Sequence, residues 1–199
     1  MRSEYAAPGT LLAVRHGATP GRLTLVLRGE EGSVAYPVAE CFYTDLGSPS
    51  VGYVLTEEET ERLLSHVAER RALASALGSL ARGDESRRNL YLKLRRKGHS
   101  DGAARAALDE VERLGYLREQ DGAERLAARC ADKGWSRRKT HAYLIGRGYP
   151  AATATHAIDA AIAAGDADFE ENKRLFREKQ EALGLSPQEV CRALWRAGF

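Results

Sequence analysis

The windows SRRNLYLKLRRKGH (Ser86–His99), SRRKTHAYLIGRGY (Ser136–Tyr149) and SPQEVCRALWRAGF (Ser186–Phe199) align without a gap at a fixed offset of 50 residues. Self-similarity at a period of this length marks tandem structural repeats. Three columns carry the alignment: Ser86, Ser136 and Ser186; Leu94, Leu144 and Leu194; Gly98, Gly148 and Gly198. Each has a physical task. Serine is a good helix N-cap, the leucine lies two turns in on a buried stripe, and glycine stops the helix in the left-handed conformation. A ring follows the glycine each time, as His99, Tyr149 and Phe199, placed to pack back on the helix. Leu90 and Leu94 share one helical face, as do Val190 and Leu194.

Working outward, a further helical stretch precedes each window, and a third follows the first two, at Ala103–Leu114 and Ala152–Ala164. Each unit is therefore expected to hold three helices. Units of this length do not bury their own apolar faces alone, so an elongated stacked array is predicted. The expected boundaries are 70–117 for the first repeat, 118–165 for the second and 166–199 for a truncated third. Upstream, Thr56 with Glu59 forms a capping-box signature, and Glu57, Glu58 and Glu59 suit the positive end of a helix dipole. Residues 56–69 read as the start of a connecting helix. Before it, residues 1–55 read as a small antiparallel β-rich module. Its expected strands are Leu11–Val14, Leu23–Leu27, Val34–Val38, Cys41–Tyr43 and Val51–Val54, punctuated by glycines. The fold class is mostly α behind that sheet.

Composition narrows the function. The chain of 199 residues is 43% hydrophobic, which argues against wholesale disorder. It lacks both an apolar run of about 20 residues and a secretory-signal pattern, so a soluble, cytoplasmic protein without membrane association is expected. Cys41, Cys130 and Cys191 lie far apart and odd in number, which fits a reducing compartment and thiols buried as small hydrophobes. The net charge of +2 conceals an asymmetry. Residues 1–60 carry 4 basic and 8 acidic side chains, residues 84–149 carry 16 and 10, and residues 150–199 carry 6 and 8. An anionic partner is expected at the basic middle.

No phosphate loop, nucleophile elbow or metal-spaced histidine and cysteine grouping is present in the sequence. His16, His66, His99, His141 and His156 are scattered, and adjacent carboxylates such as Asp109 with Glu110, or Glu170 with Glu171, point apart on a helix. No catalytic residue, metal ligand or cofactor is expected.

One feature runs against helix stability. Arg87 and Arg88, then Arg137, Arg138 and Lys139, directly follow the serine caps, where the helix dipole is positive and each cation costs on the order of 0.3–1 kcal/mol. The third window has Pro187, Gln188 and Glu189 there, the choice that stability alone selects. The cations predict a surface for acidic side chains or phosphates. Lys93, Arg95, Arg96, Lys97 and Arg147 add charge along or at the far end of the same helices, where cations are also stabilising.

These motifs resemble the RecX family, regulators of the RecA recombinase, built from tandem three-helix repeats with an L-x-x-K-G pattern and a downstream G-Y-L segment. Leu94–Gly98 reads LRRKG, Leu114–Leu117 reads LGYL, and Lys133–Arg138 with Leu144–Gly148 is similar to the second repeat. The resemblance covers about residues 70–199; the strand-rich start looks like the extension of longer members. It implies a non-enzymatic monomer that binds the groove of the RecA filament on single-stranded DNA and suppresses ATP hydrolysis and strand exchange. Weak contact with DNA is a secondary expectation. The alternative reading is a direct DNA binder using helix-turn-helix-like pairs, with Arg87, Arg88 and Arg137–Lys139 on phosphates. A net charge of +2 is low for that role.

Overall fold

The computed structural model describes residues 9–29 and 32–199; the first eight residues of the expected β-rich module, with Glu30 and Glu31, lie outside them. The chain is mostly helical behind a small N-terminal antiparallel sheet, the expected fold class. The strands are β1 (Leu11–His16), β2 (Arg22–Gly29) and β3 (Gly32–Ala39), in the order β1-β2-β3. The helices are α1 (Glu40–Asp45), α2 (Glu57–Leu80), α3 (Arg87–Arg96), α4 (Asp101–Arg113), α5 (Glu119–Asp132), α6 (Arg137–Gly146), α7 (Ala151–Ala163), α8 (Phe169–Ala182) and α9 (Pro187–Ala197). The described residues form two compact units, one from those up to 74 with 99–107, the other from 75–98 with 108–199. No helix among the described residues is long and apolar enough to cross a membrane.

In the first unit the period-2 pattern of β2 decides which face is buried. Leu23, Leu25 and Leu27 point into the core while Thr24 and Val26 stay half-buried. Tyr36 and Val38 of β3 join them, opposite Leu25 and Leu23 in register. Leu63 and Val67, four apart on α2, close the layer. The capping box at the start of α2 forms both bonds: the Glu59 N–H donates to Thr56 Oγ1 at 3.2 Å, and the Thr56 N–H donates to Glu59 Oε2 at 2.8 Å.

Two expected strands are not strands. Cys41–Tyr43 lies inside α1, where Phe42 stacks on His66 with ring centroids 4.2 Å apart and Tyr43 Oη donates to the Pro49 carbonyl at 2.9 Å. Three apolar residues are too few to display a period, and here the helical one won. Val51–Val54 is a turn closed by the Tyr53 N–H on the Ser50 carbonyl, with Val51 and Val54 exposed. It meets the sheet through one bridge, Thr10 with Val54, and through main-chain bonds between Leu11 and both Gly52 and Tyr53.

The second unit contains the three-helix packing of α5, α6 and α7. Small residues make it tight: Ala123, Ala127 and Ala131 of α5 face Ala154, Ala157 and Ala161 of α7, with Leu144, Tyr149 and Ile158 filling the middle. Alanine on both helices lets their axes approach, and the large side chains come from α6 (Leu144), its exit (Tyr149) and α7 (Ile158). Leu90 and Leu94 of α3 are buried, as are Val190 and Leu194 of α9, which packs on α8. The expectation of buried thiols holds only for Cys130, whose burial pushes its thiol pKa up. Cys41 and Cys191 are exposed. Both lie beside apolar neighbours in sequence, but on the outer faces of α1 and α9, which the sequence pattern did not distinguish.

Candidate partner-binding surface

The serine column does two jobs. The Ser86 hydroxyl accepts the Asn89 N–H at 3.1 Å, capping α3, and donates to the Arg147 carbonyl at 2.7 Å, 61 residues on. Ser136 repeats this geometry, accepting from the Lys139 N–H at 3.2 Å and donating to the Ala197 carbonyl at 2.9 Å. Each contact ties a helix start to the end of the corresponding helix one period later. Ser186 instead donates to its own Glu189 at 2.7 Å, within a capping box. The glycines accommodate the joint. A Cβ on Gly148 would stand 2.7 Å from Ser86 Oγ, and one on Gly198 would stand 2.6 Å from Ser136 Oγ. Both also have φ near +90°, at +88° and +90°.

The arginine after each serine is stitched to the following helix. Arg87 reaches Asp109 at 2.6 Å and Glu112 on α4, and its N–H donates to Glu119 Oε1 at 3.0 Å. The hydrogen bond to Asp109 is the leading cause of the upward shift in its guanidinium pKa. Arg137 pairs with Asp159 on α7, the same 22-residue step. The dipole cost expected from cations at these helix starts is thus offset at α3 by neighbouring carboxylates.

Around the first joint the charge is internally matched. Asp84 accepts from Arg125 at 2.6 Å and Arg129 at 3.0 Å. The Arg125 hydrogen bond, ahead of the other contributions, holds the Asp84 carboxyl below the usual carboxylate range. Glu85, nearly buried, takes the ammonium of Lys93 and the Asn89 amide. Arg147, half-buried at the end of α6, reaches the Asp84 carbonyl at 3.5 Å. Next to it burial pushes the Tyr149 hydroxyl up to about 12.

The ten cations named from the sequence therefore do not form one patch. Arg87, Lys93 and Arg137 are held in ion pairs, and Arg147 belongs to the first joint. Arg88 is exposed at the start of α3. Arg95, Arg96 and Lys97 are exposed at its far end, about 15 Å away along ten residues of helix.

Arg138 and Lys139 lie at the second joint. There Arg138 donates to the Trp195 carbonyl at 2.6 Å, and its guanidinium carbon stands 5.7 Å from the Trp195 ring centre. The Lys139 ammonium lies 4.3 Å from the Trp135 ring centre. The tryptophans, and the carboxylates Asp84 and Glu85, escaped sequence reasoning. A signal was available for the first: both tryptophans of the chain sit within four residues of a repeat column, Trp135 before Ser136 and Trp195 before Gly198.

No group of three His, Cys, Asp or Glu residues among those described is placed to hold a metal ion. No protein-family model matches the chain, and no curated protein matches it in sequence. Solved structures of RecX proteins are similar in fold. A crystal structure of regulatory protein RecX superposes with a TM-score of 0.74 at 14% identity, covering 96% of this chain and 94% of that one. RecX from Lactobacillus salivarius superposes with a TM-score of 0.58 at 15% identity, covering 66% of this chain and 88% of that one. From its sheet to its last helix, this chain has the fold of the regulatory protein RecX.

Proposed function

We propose that the protein is a RecX-type regulator that binds the RecA nucleoprotein filament and inhibits its ATP hydrolysis and strand exchange, without chemistry of its own. The observation that carries this reading is the fold likeness to regulatory protein RecX along 96% of the chain. The sequence motifs point the same way, since LRRKG at Leu94–Gly98 and LGYL at Leu114–Leu117 occupy the end of α3 and the exit of α4. In this reading residues 70–117, 118–165 and 166–199 are copies of one helical unit. The contacts come from side chains spread over helix ends rather than from a pocket, which suits a partner that is itself a repeating filament.

The experiment is a titration of the protein into RecA hydrolysing ATP on single-stranded DNA. The expected outcome is saturable inhibition of ATP hydrolysis, with slower strand exchange in parallel. ATP hydrolysis and strand exchange unaffected by excess protein would refute the proposal.

A further inference from the structure

The two joints share a backbone geometry but differ in chemistry. At the first, the residues around Ser86 include Asp84 and Glu85, and the arginines and lysine there are paired with them. At the second, the position matching Glu85 is Trp135, the position matching Ile145 is Trp195, and the position matching Gly146 is Arg196. A cleft opens beside this joint, lined by Trp135, Arg138, Lys139, Arg196 and Phe199, with no Asp or Glu side chain among its described lining residues. Trp195 flanks it at 68% exposure. Arg138, Lys139 and Arg196 are all exposed.

We propose that this cleft is a binding site for single-stranded nucleic acid, with bases stacking on the exposed Trp195 indole and the backbone phosphates tracking Lys139, Arg138 and Arg196. Three observations favour that occupant. An indole 68% exposed on a well-formed helix offers π surface beyond what the Arg138 guanidinium covers, and every base presents a π-face. Arg138 is anchored to the Trp195 carbonyl, so a cation is held beside that indole at a set distance. The Lys139 ammonium lies over Trp135, which is only half-buried and edge-on to Tyr143 at 5.1 Å, so the second indole is braced rather than mobile. Duplex DNA fits less well, since its bases are stacked inside the helix and offer no face to Trp195. The site stands on its own geometry and does not depend on the filament reading.

The chain contains only two tryptophans, and both are at this cleft, so intrinsic fluorescence reports on it directly. The full chain is titrated with a single-stranded oligothymidylate, a matched duplex and polyglutamate at several salt concentrations. The proposal expects saturable quenching by the oligothymidylate, with a slope of log affinity against log salt of about −2 for three neutralised phosphates. Trp195→Ala should weaken binding about tenfold or more, with Trp135 remaining as the reporter. Lys139→Gln with Arg196→Gln should cut the slope to about −0.7. Circular dichroism matching the parent is expected for both variants, because the altered side chains are exposed. The inference is overturned by an absence of quenching at low salt, by unchanged affinity in Trp195→Ala, or by an unchanged salt slope in the double variant. Equal binding of the duplex would also overturn it, and tighter binding of polyglutamate would reassign the cleft to acidic protein. RecA is absent from this assay, so its outcome is separate from that of the ATP-hydrolysis titration.

Discussion

A single hydroxyl group decides how successive helices meet in the second unit. Ser136 caps α6 and also donates to the Ala197 carbonyl, so Ser136→Ala loses a cap worth about 1 kcal/mol and leaves a carbonyl short of a donor at a similar cost. We expect a loss of about 2 kcal/mol, read from the midpoint of urea unfolding. Ser186→Ala, at an exposed cap with no such second bond, should lose about 1 kcal/mol or less. The glycines should rank in the same way. Gly98→Ala meets only the backbone cost of a positive φ, about 1 kcal/mol, whereas Gly148→Ala also drives a methyl group into Ser86 Oγ and should cost clearly more. Removing that hydroxyl as well, in Ser86→Ala with Gly148→Ala, should cost less than the sum of the single changes. The cap and the left-handed stop were legible in the sequence because both are local preferences. The bond to a carbonyl 61 residues away was not, since any residue supplies a carbonyl and only the fold chooses which one.

At the scale of elements, the sequence pattern was most reliable where a period had room to repeat. Leu23, Leu25 and Leu27 announced β2, and the serine-to-glycine windows announced α3, α6 and α9. Cys41–Tyr43 and Val51–Val54 were short enough to be decided by tertiary contacts instead: the Phe42–His66 stack for one, a tight turn against β1 for the other. The cations at the helix starts were legible as an anomaly, yet their partners were not. Asp109 and Asp159 lie on the next helix, 22 residues downstream, and Asp84 draws Arg125 and Arg129 from α5 to the start of α3. This last cluster makes stability depend on pH. The Asp84 pKa is lower folded than unfolded, so its contribution is complete above the unfolded carboxylate value and is lost as pH falls through the folded one. Asp84→Asn should therefore destabilise the protein by roughly 1 kcal/mol at pH 7, given the exposure of both arginines. The difference in thermal unfolding between the two proteins should shrink as the pH falls through the lowered pKa of the folded Asp84 carboxyl, where the parent also becomes neutral. A difference that stayed constant with pH would mean that packing, not charge, is lost in the variant.

For the molecule as a whole, the question is which of its cations are available to an acidic or phosphate-bearing partner. A count by segment puts the positive charge between residues 84 and 149, but the structure divides that charge by occupation. Arg87 and Arg137 hold helices together through Asp109 and Asp159, so exchanging them should affect stability before it affects any partner. Arg88, Arg96 and Lys97 are exposed, and removing their charge should leave the fold intact. If the filament is the partner, Arg88→Gln with Arg96→Gln and Lys97→Gln should raise the concentration needed to inhibit RecA about tenfold, at roughly 0.5 kcal/mol per contact, and flatten its dependence on salt. The unfolding midpoint should move little, since losing Arg96 and Lys97 from the C-terminal end of α3 is offset in part by removing Arg88 from its start. Arg87→Gln should show the opposite signature, with a lowered midpoint and inhibition retained in proportion to the folded fraction. The two variants change the net charge in the same direction, so a general electrostatic attraction would weaken inhibition in both according to the charge removed. Only a partner that meets particular exposed side chains separates them in this way, and an inhibition curve unmoved by the triple change would exclude these three residues from the contact.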